Sequence, residues 1–82
     1  MSEHSHNEIM ARLESIFHEV FENQSITLED TTTADDIDGW DSLTNIRLLI
    51  HIEQEFSISF NSVEIADIPN VGELASLIGT RI

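Results

Sequence analysis

Near the start of the chain, apolar residues recur at spacings of three and four: Ile9, Leu13, Ile16, Phe17, Val20 and Phe21. That spacing puts them on one face of a helix. It predicts an amphipathic helix over about residues 5–22, roughly 25 Å long at 1.5 Å per residue. Glu8 and Arg12 lie one turn apart on its opposite face, at a spacing that favours pairing. The periodicity then lapses. Residues 23–40 are rich in Asn, Thr, Asp and Gly, with Ile26, Leu28 and Ile37 as isolated apolar anchors. Loops of this length survive in small domains mainly where they carry function, and this one runs straight into residue 42.

A second helical pattern begins at Ser42 and continues to Phe56, with Asp41 placed to cap it. No Glu or Gln follows three residues later, so no reciprocal capping box is expected. Ser57-Ile58-Ser59-Phe60 reads as a connector whose apolar residues turn inward. Asn61 or Ser62 can cap a short helix over Val63–Ile68, which Pro69 ends by pushing its predecessor away from helical angles. Asn70 then caps a last helix with Val71, Leu74, Ala75 and Ile78 on one face. Three longer helices and one short one predict an all-α fold, a small four-helix bundle. It forms a single domain over residues 1–82, with its core within about 5–79.

The second helix is apolar around roughly 220° of its circumference, whereas packing against one core needs a stripe of about 100° or somewhat more. The excess divides into two sectors. Leu48, Leu49, Ile52 and Phe56 form one, assigned to the core; Leu43, Ile46 and Ile50 form the other, assigned to a partly exposed strip beside Ser42. Glu53 falls between them at the far end. An exposed apolar strip rimmed by charge is the pattern of a partner-binding surface.

Charge sharpens this picture. Sixteen carboxylates face three arginines and no lysine in 82 residues, for a net charge of -13. Such a chain is repelled by nucleic-acid backbones and anionic lipid, and it attracts partners with basic docking patches. Self-repulsion also predicts a fold less stable at low ionic strength. With 40% hydrophobic residues the chain is expected to fold, although the charge taken alone would permit disorder. It lacks cysteine, and no apolar run approaches the ~20 residues of a membrane span. Met1-Ser2-Glu3-His4 has none of the basic-then-apolar layout of a signal peptide. A cytoplasmic monomer is the expectation.

The candidate chemistry centres on Asp38-Gly39-Trp40-Asp41-Ser42-Leu43, which presents a lone hydroxyl on the first turn of a helix. No histidine or lysine lies close in sequence to activate Ser42, and an unassisted hydroxyl is a poor nucleophile. No catalytic residue is therefore assigned. A Gly-Asp-Ser-Leu hydrolase motif is excluded, because Trp40 interrupts it and 82 residues cannot readily house the sheet and triad partners. A calcium loop is excluded as well, since Ala34 and Asn45 would occupy positions that require acids. His4 and His6 read as solvated, and His18 and His51 have no evident catalytic partner, so no metal site is assigned. Trp40 is expected to brace the loop against the bundle.

Asp41-Ser42-Leu43, followed by Thr44-Asn45-Ile46-Arg47-Leu48-Leu49-Ile50 and on through Glu55-Phe56, resembles the modification site of acyl carrier proteins. The likeness extends from the first helix to about Ile78. It implies a four-helix bundle in which Ser42 carries 4′-phosphopantetheine, transferred from coenzyme A by a separate phosphopantetheinyl transferase. The arm's thiol would hold acyl groups as thioesters and deliver them to acyl-transferring, ligating or condensing enzymes of fatty-acid, polyketide or related pathways. A phosphodiester at this helix start would meet open N–H groups and the positive end of the helix dipole, worth about 0.3–1 kcal/mol when exposed. Partner recognition would fall to Asp38, Asp41, Leu43, Ile46, Arg47, Ile50 and Glu53, with Glu55 also on the acidic surface. Two residues depart from fatty-acid carriers: Trp40, where a small residue commonly stands, and Arg47, where an acid often does. These departures resemble specialised stand-alone carriers. A peptidyl or aminoacyl carrier, or an acidic adaptor with no covalent group, is the alternative reading.

Overall fold

The computed structural model describes residues 5–61, Glu64 and residues 68–82, and among these it is all-helical, without strands. Helix α1 spans His6–Val20, α2 spans Ser42–Phe56 and α3 spans Val71–Gly79; a single 3-10 turn, Ala34–Asp36, interrupts the long loop. The expected short helix over Val63–Ile68 falls largely outside the described residues. Just before it, Asn61 Oδ1 accepts the Glu64 N–H at 2.9 Å, while the Glu64 carboxylate accepts the Asn61 N–H at 3.2 Å.

Both α2 and α3 pack against α1. The predicted apolar face of α1 supplies the centre of the core: Ile9, Leu13, Ile16, Phe17 and Val20 are all buried. They meet Leu48, Ile52 and Phe56 of α2 and Val71, Leu74, Ala75 and Ile78 of α3. Burying a large aliphatic or aromatic side chain is worth about 1.5–3 kcal/mol, so this shared cluster is the main source of cohesion. Arg12 ties α1 to the end of α2, its Nη2 2.6 Å from the Glu55 carboxylate and its guanidinium 4.6 Å from the centre of the Phe56 ring.

The loop between α1 and α2 is anchored along its length. Ile26, Leu28 and Ile37 are buried as anticipated. Its backbone also bonds to the helices: Glu14 accepts the Leu28 N–H at 2.9 Å, and the His18 ring donates to the Ile26 carbonyl at 2.7 Å. Farther along, the carbonyls of Thr32 and Asp30 accept the N–H groups of Val71 and Gly72 at 2.8 and 3.0 Å. These are donors at the start of α3 that have no partner within the helix. Asn70 caps the same end, accepting from Glu73 at 2.9 Å.

This close approach requires glycine at position 72. A Cβ there would lie 2.7 Å from the Asp30 carbonyl oxygen and 2.9 Å from the Asp30 Cα. At Gly79 it would sit 3.5 Å from Ile9 Cδ1, an ordinary contact. Gly72→Ala is therefore expected to lower stability by about 1–3 kcal/mol, whereas Gly79→Ala should change it by less than about 1 kcal/mol, in the stabilising direction. Urea unfolding of the two variants checks both.

Candidate functional site

The long loop delivers the chain to α2 through three consecutive restraints. Gly39 takes a φ of 88°, a left-handed turn that few other residues adopt without strain. Trp40 follows with its ring edge-on to Phe17 at 5.2 Å and tilted against Phe21 at 6.2 Å. Its indole N–H donates to Asn45 Oδ1 at 2.9 Å, so the same side chain grips both α1 and α2. Trp40 does brace the loop, as expected, and Asn45 is its partner in doing so. Asp41 then caps α2, one carboxylate oxygen accepting the N–H groups of both Leu43 and Thr44 at 3.0 Å.

The cap is reciprocal, contrary to expectation. Thr44 Oγ1 accepts the Asp41 N–H at 2.8 Å and donates its own proton to the Gly39 carbonyl at 2.6 Å. A threonine hydroxyl fills the place usually held by Glu or Gln in a capping box. The Thr44 backbone N–H, and after it the Thr44 hydroxyl, hold the Asp41 carboxyl below its ordinary value of 3.8.

Ser42 is the first residue of α2 and is exposed. Among the described residues nothing hydrogen-bonds its hydroxyl, so no base is engaged with it. The expected anion site at this helix start needs revision, because Asp41 already occupies the N–H groups of Leu43 and Thr44. A phosphodiester on Ser42 would sit beside that carboxylate, with only the helix dipole to favour it. Such a group would be held there by its covalent bond rather than by these N–H groups.

The two sectors of α2 separate as the sequence predicts. Leu48 and Ile52 are 0% exposed, whereas Leu43, Ile46 and Ile50 are 70%, 58% and 48% exposed. Leu49, expected in the core, is only half-buried. It lines a cleft of about 530 Å³ that opens beside Ser42 and runs between α2 and the segment Ile68–Asn70, with Trp40, Ile46 and Leu74 on its walls. Neither this cleft nor the roles of Thr44 and Asn45 were legible from periodicity. A hydroxyl three residues after the capping Asp was the one available signal.

The expected acidic surface is largely engaged in holding the fold. The Glu53 carboxylate accepts the Phe60 N–H at 2.8 Å, Glu55 pairs with Arg12, and Asp41 caps α2. Asp38 is exposed, with no side-chain partner among the described residues. Arg47 is exposed on α2. His6 bonds Asp30 at 2.7 Å, His51 lies 3.8 Å from Glu19, and His4 lies outside the described residues. No cluster of ligands for a metal ion occurs among the described residues, nor any helix long and apolar enough to cross a membrane.

An exposed hydroxyl on a firmly held helix start suits a covalent attachment point, and comparison with known proteins bears on that reading. Residues 8–78 match the family model described as the phosphopantetheine attachment site. The fold also matches the solution structure of a holo acyl carrier protein from Geobacter metallireducens. The TM-score is 0.84 at 38% identity, covering 89% of this chain and 84% of that one. This chain belongs to the acyl carrier protein family. No curated protein matches the carrier. Its prosthetic group is a covalently bound phosphopantetheine, which an open serine at a helix start can accept without any rearrangement of the core.

The depressed carboxyl of Asp41 has a consequence for the carrier's pH dependence. A group whose folded-state pKa lies below its unfolded value adds stability above the unfolded value and loses it as pH falls through the folded one. The melting point of Asp41→Ala should therefore lie below that of the wild type at about pH 6, with the gap closing as pH falls below 3.8 towards about 2. Thermal denaturation followed by circular dichroism across this range checks it.

Proposed function

We propose that Ser42 is the attachment residue and that this carrier shuttles acyl intermediates between biosynthetic enzymes. The observation that carries the reading is the Ser42 hydroxyl itself, exposed and unbonded at the start of a helix whose preceding two residues are both fixed. The phosphopantetheine arm supplies a terminal thiol able to hold acyl groups as thioesters. The protein's own residues position that arm. Asp41 and Thr44 set where α2 begins, Trp40 prevents the loop from swinging, and the 530 Å³ cleft offers an apolar recess next to the attachment point. Its apolar walls, Ile46, Leu49, Ile68 and Leu74, favour acyl cargo over amino-acid cargo.

Because no base is engaged with Ser42, a phosphopantetheinyl transferase has to supply one and deliver the group from coenzyme A. Leu43, Ile46 and Ile50 form the apolar strip on which the transferase and the acyl-handling enzymes dock, next to the hydroxyl they need to reach. Asp38 lies at the loop end of this surface.

Incubating the apo protein with coenzyme A, magnesium and a broad-specificity transferase should add the mass of one phosphopantetheine unit. Ser42→Ala should abolish the gain while leaving the fold intact. An unchanged mass for the wild type, or a gain that survives the substitution, contradicts the assignment. Docking is tested separately. Ile50→Ala should lower kcat/KM for loading about fivefold, equivalent to roughly 1 kcal/mol of interface contact, with little change in melting point because Ile50 is half in solvent already. A large drop in melting point with unchanged loading would place Ile50 in the core.

A further inference from the structure

The sixteen carboxylates are distributed unevenly over this protein. None occurs in the eleven-residue stretch from Ser42 to Ile52, which contains Arg47 and His51. The exposed apolar strip of α2 thus lies in the one helical segment where a chain of net charge -13 presents a cation and no anion.

Arg47 is also the arginine that the fold does not use. Arg12 pairs with Glu55, and Arg81 pairs with Glu64 and donates to the Ser59 carbonyl at 2.6 Å. Arg47 is exposed and has neither an ion pair nor a hydrogen bond among the described residues. Its neighbours one turn away on α2 are Leu43, Thr44, Ile50 and His51, so no acid stands at the spacing where a helix pairs its own charges. With five carboxylates for every arginine, an unpaired guanidinium is the unusual outcome, and its position between Leu43, Ile46 and Ile50 gives it a setting.

Resting on the proposed function, we propose that Arg47 selects the carrier's protein partner. The acyl-handling enzyme that docks on Leu43, Ile46 and Ile50 places a carboxylate opposite the guanidinium. Docking removes water from the strip, and a guanidinium desolvated there without a counter-charge is costly. A partner that presents lysine or arginine at this point meets like charge and is rejected. A carboxylate accepts two parallel N–H bonds from the planar fork, which adds direction as well as attraction. The partner face is therefore mixed: apolar at its centre, acidic opposite Arg47, and basic only where it meets Asp38.

The absence of lysine from the chain allows a direct test. Arg47→Lys introduces a lone ε-amine at the strip, and a carbodiimide joins such an amine to a carboxylate in contact with it. The holo variant, loaded to completion as shown by intact mass, is treated with carbodiimide in extract of its source cells, and cross-linked peptides are sequenced. The expected result is an amide from position 47 to an Asp or Glu of an acyl-handling enzyme; the residue joined is the evidence, and capture alone is not. With that enzyme purified, Arg47→Glu should weaken binding by about tenfold or more at an unchanged melting point. A link to a carboxylate of the same chain, no link at all, binding indifferent to Arg47→Glu, or a melting point lowered by that substitution would each overturn the proposal. Failure of the wild type to accept phosphopantetheine would register separately in the loading mass.

Discussion

The Trp40 indole holds together two things that a covalent attachment point needs and that ordinarily conflict. A side chain offered to a large enzyme has to be exposed, and exposed residues at the end of a long loop are usually mobile. Here the ring is edge-on to Phe17 in the core while its N–H bonds Asn45 on α2, so the residue two positions before Ser42 is fixed from both sides. Asp41 and Thr44 then exchange hydrogen bonds across the first turn of the helix. Ser42 projects from a backbone held on each flank, and it needs no contact of its own.

The second helix follows the same division. Its inner face, with Leu48 and Ile52 fully buried, supplies the energy that keeps it against α1, and its outer strip of Leu43, Ile46 and Ile50 adds little to folding. Apolar side chains kept in water forgo about 1.5–3 kcal/mol each relative to burial. A small bundle that leaves three of them exposed beside Ser42 has the surface that the proposed docking of partner enzymes requires. Charge is sorted along with polarity. Carboxylates at Glu53, Glu55 and Asp41 are committed to internal bonds, while the cation at Arg47 stays available.

Helices whose apolar faces repeat cleanly, two of them with Asp41 or Asn70 at their starts, were legible because local spacing and local caps decide them. The division of α2 into two sectors was legible for the same reason; Leu49 packs against the core as assigned but is only half-buried, because it also lines a cleft made by residues about twenty positions away. What spacing cannot show is which distant group satisfies a given donor. The Asp30 and Thr32 carbonyls at the start of α3, the reach of Arg12 to Glu55 and the bond from Trp40 to Asn45 all depend on tertiary placement. At α2 the Asp41 cap was legible but its reciprocal half was missed on chemistry: the Thr44 hydroxyl does the work of a Glu or Gln side chain, while the Asp41 carboxylate itself takes the N–H groups that a phosphodiester was expected to find.

The central claim is that the hydroxyl at position 42 bears the prosthetic group. Tandem mass spectrometry of the protein purified from its source cells addresses it most directly, because fragmentation ejects the pantetheine and reveals which residue carried it. The account predicts the group on Ser42 alone. Finding it on Ser57, Ser59 or another hydroxyl, with Ser42 unmodified, would contradict it.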